Sequence, residues 1–247
     1  MLRLSYTRSG GEEAERALRD FAVVTAEMSA YFAEMMERRR DHPQDDLLTR
    51  LMEAEVDGEH LSLDEIVGFC QLLIVGGQET TTNLINNAML CFLEFPDQLA
   101  RLRATPGLLA SAIEEVLRYR SPLQWTLRSP RRNVTVHGQE MPAGALVLPM
   151  MGSANRDARQ FEAPERFDIA REPNAHVAFG HGIHFCLGAA LSRMEARIAL
   201  GHLLERFQSF QMATSEPWQP RRALHVHGPA SLRIRFETGR PRQAAAG

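Results

Sequence analysis

The chain has 247 residues, 44% apolar and 24% charged, a globular composition that excludes a wholly disordered protein. Its net charge of -3, spread over mixed signs, provides no field to draw nucleic acid or anionic lipid. All 28 basic residues are arginine, which removes a P-loop lysine, a Schiff-base lysine and a lysine general base.

Cys70, Cys91 and Cys186 are odd in number and form no CxxC, so a reduced, cytoplasmic setting is expected. The start, "MLRLSYTRSGGEEAE", lacks an apolar signal core. The most apolar run, Ile66 to Gly77, is 12 residues long and contains Gln71, too short and polar to span a membrane. The expectation is a soluble protein with one domain over residues 1–247, mainly α with a small β portion.

In chain order, Glu12 to Arg40 places Leu18, Phe21, Ala22, Met28, Phe32 and Met35 at helical spacing, and Pro43 follows its end. Its arginine triplet reads as a solvated helix C-terminus. A second helix is expected over Asp46–Glu55. Ser62 and Glu65 form a capping box, and a long helical pattern then runs to about Glu94, apolar on most faces and so expected to be buried. Thr105 and Pro106 start another helix that ends before Pro122. "NVTVHG" and "ALVLP" read as the two strands of a small hairpin. About thirty Pro-studded, irregular residues follow, uncommon unless functional. Ala189 to Phe207 is helical, and Leu224–His227 and Leu232–Phe236 are short strands.

The long helix carries an odd centre, "LLIVGGQETTTNLI": two glycines, a Gln-Glu pair and three threonines, each unfavourable in an apolar helix. A weakened middle of this kind suits a face that needs backbone room and polar atoms. The irregular segment converges on "FGHGIHFCLG", where Cys186 stands just before a helix, a position that favours an anion. Gly180, Gly182 and Gly188 let backbone pass close to a flat ligand. Three readings compete for Cys186: an inert core thiol, a zinc site with His181 and His184, or an axial ligand to haem iron. Zinc lacks an evident fourth ligand, whereas haem accounts for the loop, the glycines and the following helix together. Glu115 and Glu114 both lie one helical turn from Arg118, and spacing does not choose between them.

Phe179-Gly-x-Gly-x-His184-x-Cys186-x-Gly188 resembles the haem-ligand signature of the cytochrome P450 family, particularly its soluble bacterial class. "GGQETT", Gly76 to Thr81, resembles that family's acid–alcohol pair, "EEVLR" its ExxR pair, "APERFD" the arginine added to that pair, and "LRSP" a propionate-binding position. The resemblance implies a P450-like fold, haem b as cofactor and Cys186 as iron ligand, with Gly76, Gly77, Phe179, Gly182 and Gly188 approaching the haem. It implies that Arg128 and His184 bind propionates, that Thr80 hydrogen-bonds in an oxygen pocket, and that Glu79 relays solvent protons there. Glu115, Arg118 and Arg166 become a structural triad. The implied reaction is insertion of one oxygen atom of O₂ into a small or medium apolar substrate, with NAD(P)H electrons arriving through a ferredoxin and its reductase. A haem-thiolate isomerase or peroxygenase, and a non-catalytic fragment without haem, are the alternatives. The family extends further towards the N-terminus, so the resemblance implies its C-terminal part.

Overall fold

The computed structural model describes residues 11–221 and 225–238. They fall into two compact units, one up to Glu79 and one from Thr80 on, and one long helix runs through the division.

In the first unit, α1 (Glu12–Asp41) is followed by α2 (Leu47–Glu53), the two-residue strands β1 (Glu55–Val56) and β2 (Glu59–His60), and the start of α3 (Leu63–Glu94). Asp46 caps α2 by accepting from Thr49 N–H at 2.9 Å. Ser62 and Glu65 form the expected box: Ser62 N–H reaches the Glu65 carboxylate at 2.8 Å and Glu65 N–H reaches Ser62 Oγ at 3.3 Å. Asp57 and Gly58, both at positive φ, turn β1 into β2. The arginine triplet is absorbed in ion pairs, Arg38 with Glu34, Arg39 with Asp46 and Arg40 with Glu37, as a solvated helix end should be. Met36, Ile66, Val67 and Cys70 form this unit's core, with Phe32, Leu48, Leu51 and Met52 packed on it. Gln71, buried on α3, donates to Thr25 carbonyl and Ser29 Oγ of α1, so the polar residue in the apolar run has a structural use.

The second unit takes the rest of α3, then α4 (Pro96–Ala104), a 3₁₀ turn over Pro106–Leu108, α5 (Leu109–Tyr119), β3 (Val134–Val136), β4 (Gln139–Met141), the short α6 (Met151–Ala154), α7 (Ala189–Arg206), β5 (Phe207–Met212) and β6 (Ile234–Thr238). Its core joins Leu84, Ala88 and Phe92 of α3 to Leu102 of α4, Ile113 and Val116 of α5, Phe167 and Ile169 of the irregular segment, and Ala196 and Leu200 of α7. The mainly helical expectation holds.

Several boundaries differ from the pattern reading. α4 was hidden behind Pro96, which sits in its first turn, where the missing N–H costs nothing. Thr105 ends α4, and the 3₁₀ turn, not a Thr cap, precedes α5. Val134–Val136 pairs with Gln139–Met141 and not with Ala145–Pro149, because His137 (φ 48°) and Gly138 (φ 79°) close a two-residue turn between them. Val147 instead pairs with Arg128. Phe207 opens β5, which pairs with β6 in antiparallel register from Phe207–Thr238 to Met212–Ile234. Arg103 of α4 fixes that helix-to-strand switch by donating to the carbonyls of Leu204 and Phe207 at 3.1 and 2.8 Å. The expected strand Leu224–His227 begins at a residue outside the described ones, and Val226 makes an isolated bridge to Leu123. The long helix is buried only in part: Leu84 to Phe92 is largely enclosed, while Leu72, Ile74, Gly76, Gly77 and Gln78 are exposed. No helix among the described residues is long and apolar enough to cross a membrane.

Candidate functional site

Cys186 is the one exposed thiol among three; Cys70 and Cys91 are buried, as expected of core cysteines. Burial pushes the Cys91 thiol up to about 12, so it stays protonated and inert. The loop around Cys186 is shaped by glycine: Gly180 and Gly182 have φ of 75° and 72°, a region costly for residues with a Cβ. Cys186 N–H donates to Phe179 carbonyl at 2.9 Å, folding the loop back on itself, and Ala189 N–H donates to Cys186 carbonyl at 3.2 Å as α7 begins. An added Cβ at Gly188 would touch Cys186 Sγ at an ordinary 4.0 Å, so nothing among the described residues demands glycine there.

Apolar side chains stand open beside this thiol. Ile183 is 97% exposed and Leu187 73%, and Phe185 and Leu191 are more than half exposed. Such surface is costly in water, at about 25 cal/mol per Å², and exposed apolar side chains flanking one thiol in the chain make this segment a candidate binding face. An exposed sulfur donor, a loop of permissive glycines and an open apolar surround together fit a flat, apolar, metal-bearing group. No three His, Cys, Asp or Glu side chains converge among the described residues, so His181, His184 and Cys186 do not form the zinc cluster considered above. His184 ends a 3₁₀ turn over Gly182–His184 and is exposed. Arg128 is exposed on the backbone paired with Val147, and neither it nor His184 forms an ion pair among the described residues.

Behind the loop, α5 resolves the choice between its two glutamates. Glu115 and Arg118 form a forked pair, with Nε to Oε2 and Nη2 to Oε1 both at 2.8 Å, and each side chain is 0% exposed. Arg118 spends its remaining donors on the carbonyls of Asn155, Pro164 and Arg166 at 3.0, 2.8 and 3.0 Å. Glu115 also accepts from Asp168 N–H at 2.9 Å and Asn174 Nδ2 at 3.2 Å. The third member of the triad is Arg171, whose Nε lies 3.2 Å from both Glu115 oxygens. This corrects the expected triad. The Arg166 side chain is exposed and faces Asp168 at 3.7 Å, and only its carbonyl joins the network, accepting from Arg118 and from Arg171. The turn through "APERFDIAR" points the first arginine outward and the second inward, which spacing alone did not reveal. Asn155 is fully buried and accepts from Val177 N–H at 2.7 Å, tying the start of the irregular segment to the cysteine segment.

Glu114 faces another way. Arg193 forks onto it, Nε to Oε1 at 2.7 Å and Nη2 to Oε2 at 2.8 Å, and His176 Nε2 meets Oε2 at 3.0 Å. Burial pushes this carboxyl up, but hydrogen bonds from Arg193 and His176 and the charge of Arg193 outweigh it and hold Glu114 at about 2. The sequence reading missed Arg193 and His176; the doubled glutamate in "EEVLR" was the available sign that two partners were needed.

Of the remaining expected residues, Gly76, Gly77, Glu79 and Thr80 all lie on α3, the glycines on an exposed turn, Glu79 buried and Thr80 partly so. An added Cβ at either glycine would meet nothing within 4 Å. Thr81, one residue on, donates to Ser192 Oγ of α7 at 3.2 Å.

The helical framework thus presents an exposed cysteine on a glycine loop, backed by a buried Glu-Arg pair. Comparison gives the family: the cytochrome P450 model matches residues 9–105 and 107–232, and the chain belongs to the cytochrome P450 family. It is 52% identical over 195 residues to cytochrome P450 107B1 of Saccharopolyspora erythraea, covering 78% of this chain and 48% of that protein. It is 43% identical to the monooxygenase PikC of Streptomyces venezuelae, covering 87% of this chain and 52% of that one. The substrate-free structure of CYP109E1 from Bacillus megaterium superposes with a TM-score of 0.89 at 42% identity, covering 94% of this chain and 60% of that one. The chain spans about half the length of the curated relatives it matches.

Proposed function

We propose that this chain carries the thiolate half of a haem monooxygenase acting on a small or medium apolar organic molecule. The observation that bears most weight is Cys186, an exposed thiol on a glycine loop ringed by exposed Ile183, Phe185, Leu187 and Leu191. Family membership and relatives named as monooxygenase, hydroxylase and epoxidase support the reading.

In this reading Cys186 Sγ would hold the haem iron, the exposed Ile183, Phe185, Leu187 and Leu191 would offer it apolar contact, and Phe179, Gly182 and Gly188 would belong to the same cradle. Bound haem supplies O₂ activation, which a thiolate ligand favours by donating electron density, as is general for this family. Arg128 and His184, both exposed and without ion-pair partners among the described residues, take the propionates; an arginine fork suits a carboxylate. Gly76 and Gly77 keep the α3 backbone open, since no Cβ projects there. Thr80 Oγ1 offers a hydroxyl that both donates and accepts, and the Glu79 carboxylate passes it protons from solvent. Electrons come from NAD(P)H through a ferredoxin and its reductase. The steroid complexes of the CYP109E1 relative, with testosterone and with corticosterone, suit an apolar substrate class.

The test is a carbon-monoxide difference spectrum of the reduced protein, with haem stoichiometry. A thiolate-type Soret band that disappears in Cys186→Ala supports the assignment. An unchanged band in that variant removes it.

A further inference from the structure

We propose that Glu114 is a positioning residue for Cys186: a single carboxylate clasps both flanks of the cysteine loop and so sets where the thiol stands. What the thiol serves rests on the haem-thiolate reading above; the clasp itself does not.

The argument begins with the loop's freedom. Gly180 and Gly182 at positive φ, with Gly188 beyond the cysteine, give this segment the least restricted backbone available to a chain. The Ile183 and Leu187 side chains are almost free of packing. Neither glycine nor an exposed side chain fixes a backbone, so beyond the loop's own backbone hydrogen bonds the restraint comes from its ends.

Both ends meet at Glu114. On the N-terminal side, His176 is nearly enclosed, with its side chain 4% exposed. Ala178 N–H donates to His176 Nδ1 at 3.2 Å, so that nitrogen carries a lone pair and Nε2 carries the hydrogen that points at Glu114 Oε2. On the C-terminal side, Arg193 lies in the second turn of α7 and forks onto both Glu114 oxygens. The segment from His176 to Arg193 is thereby closed into a ring through one side chain of α5, which removes most of the loop's conformational freedom.

From the clasp the restraint reaches Cys186 in two contacts. The Arg193 guanidinium lies over the Phe179 ring, 4.5 Å from its centroid. Phe179 carbonyl in turn receives the Cys186 N–H at 2.9 Å. Phe179 also meets Phe185, ring to ring at 6.3 Å, so the residues on either side of the return are held in the same stack. Hydrogen bonding to Glu114 raises the Arg193 affinity for its proton, against partial burial, and the charge of Glu114 adds to the increase. A plain tie between α5 and α7 would need Arg193 alone. Including His176, and seating Arg193 on Phe179, is what makes the arrangement act on the loop.

Hydrogen exchange on the cofactor-free chain, read by mass spectrometry, tests the clasp in the parent, Glu114→Gln, Arg193→Lys and His176→Asn. In Glu114→Gln the Cys186 amide should exchange at least about tenfold faster, while β5 and β6 keep their parental rates. Arg193→Lys keeps the charge but loses the fork and the ring contact, and His176→Asn opens the other flank; each should give a smaller increase at the same amide. Should Glu114→Gln not fold, those two variants read the two flanks separately. Cys186 exchange within about twofold of the parent in all variants that fold would overturn the proposal and leave Glu114 an interhelical tie. A second readout is the thiolate-type Soret band of the haem-loaded protein, expected to weaken in Glu114→Gln and to recover in part with Glu114→Asp. A haem-loaded protein without that band, but with the exchange response intact, refutes the haem-thiolate reading and leaves the clasp standing.

Discussion

Glu114 and Glu115 are consecutive on α5, and a helical step of about 100° sends them into different surroundings. Glu115 is sealed, 0% exposed, and meets two arginines, an asparagine and a backbone N–H. Glu114 keeps an open edge, 30% exposed, and meets one arginine and one histidine that bracket the cysteine loop. A sealed ionic network holds a chain segment in one conformation because every alternative strands a charge away from water. An open-edged one contributes less to stability and leaves its arginine, Arg193, partly exposed. The first secures the meander from Asn155 to Asn174, and the second lies against the candidate site.

The contrast can be broken most sharply from the sealed side. Arg118→Ala leaves Glu115 buried with one arginine in place of two, and a loss of about 3–5 kcal/mol is expected, enough to abolish cooperative unfolding in a urea titration. Arg171→Ala removes a partner that is itself 10% exposed while the Arg118 fork survives, so a smaller loss of about 1–3 kcal/mol should appear in the same titration. Acidification probes the open side. Glu114 is held at about 2 against an ordinary 4.5, a depressed carboxyl, so its contribution is fully present above pH 4.5 and disappears as pH falls towards 2. After allowance for solvent screening that contribution is about 1 kcal/mol, seen as acid destabilisation of the parent that is weaker in Glu114→Gln. The smallest effect belongs to Arg166→Ala, expected below about 0.5 kcal/mol because an exposed pair at 3.7 Å is all that is lost. A larger loss for Arg166 than for Arg171 would reverse the assignment of the triad's third member.

These same residues show what a sequence discloses. The turns at Gly180 and Gly182 and the helix start just after Cys186 were legible because they lie within one short motif. The α3 span and the Ser62–Glu65 box were legible for the same reason. Arg171 was not, because its choice over Arg166 depends on the direction of a turn through an irregular segment, which carries no periodicity. The link from Glu114 to His176 and Arg193 joins residues far apart in the chain, and no spacing rule reports it. β5 escaped notice since α7 passes into it without a breaker, its end set by Arg103 from another helix. The hairpin partner of β3 was misjudged because "ALVLP" is more β-like than Gln139–Met141, yet turn geometry outweighed propensity.

The unequal burial of the three thiols has a practical result. With Cys70 and Cys91 enclosed and Cys186 on the surface, an alkylating fluorophore added to the folded chain should attach at one address, with no residue engineered in or out. Its emission would then report directly on whatever comes to cover that face.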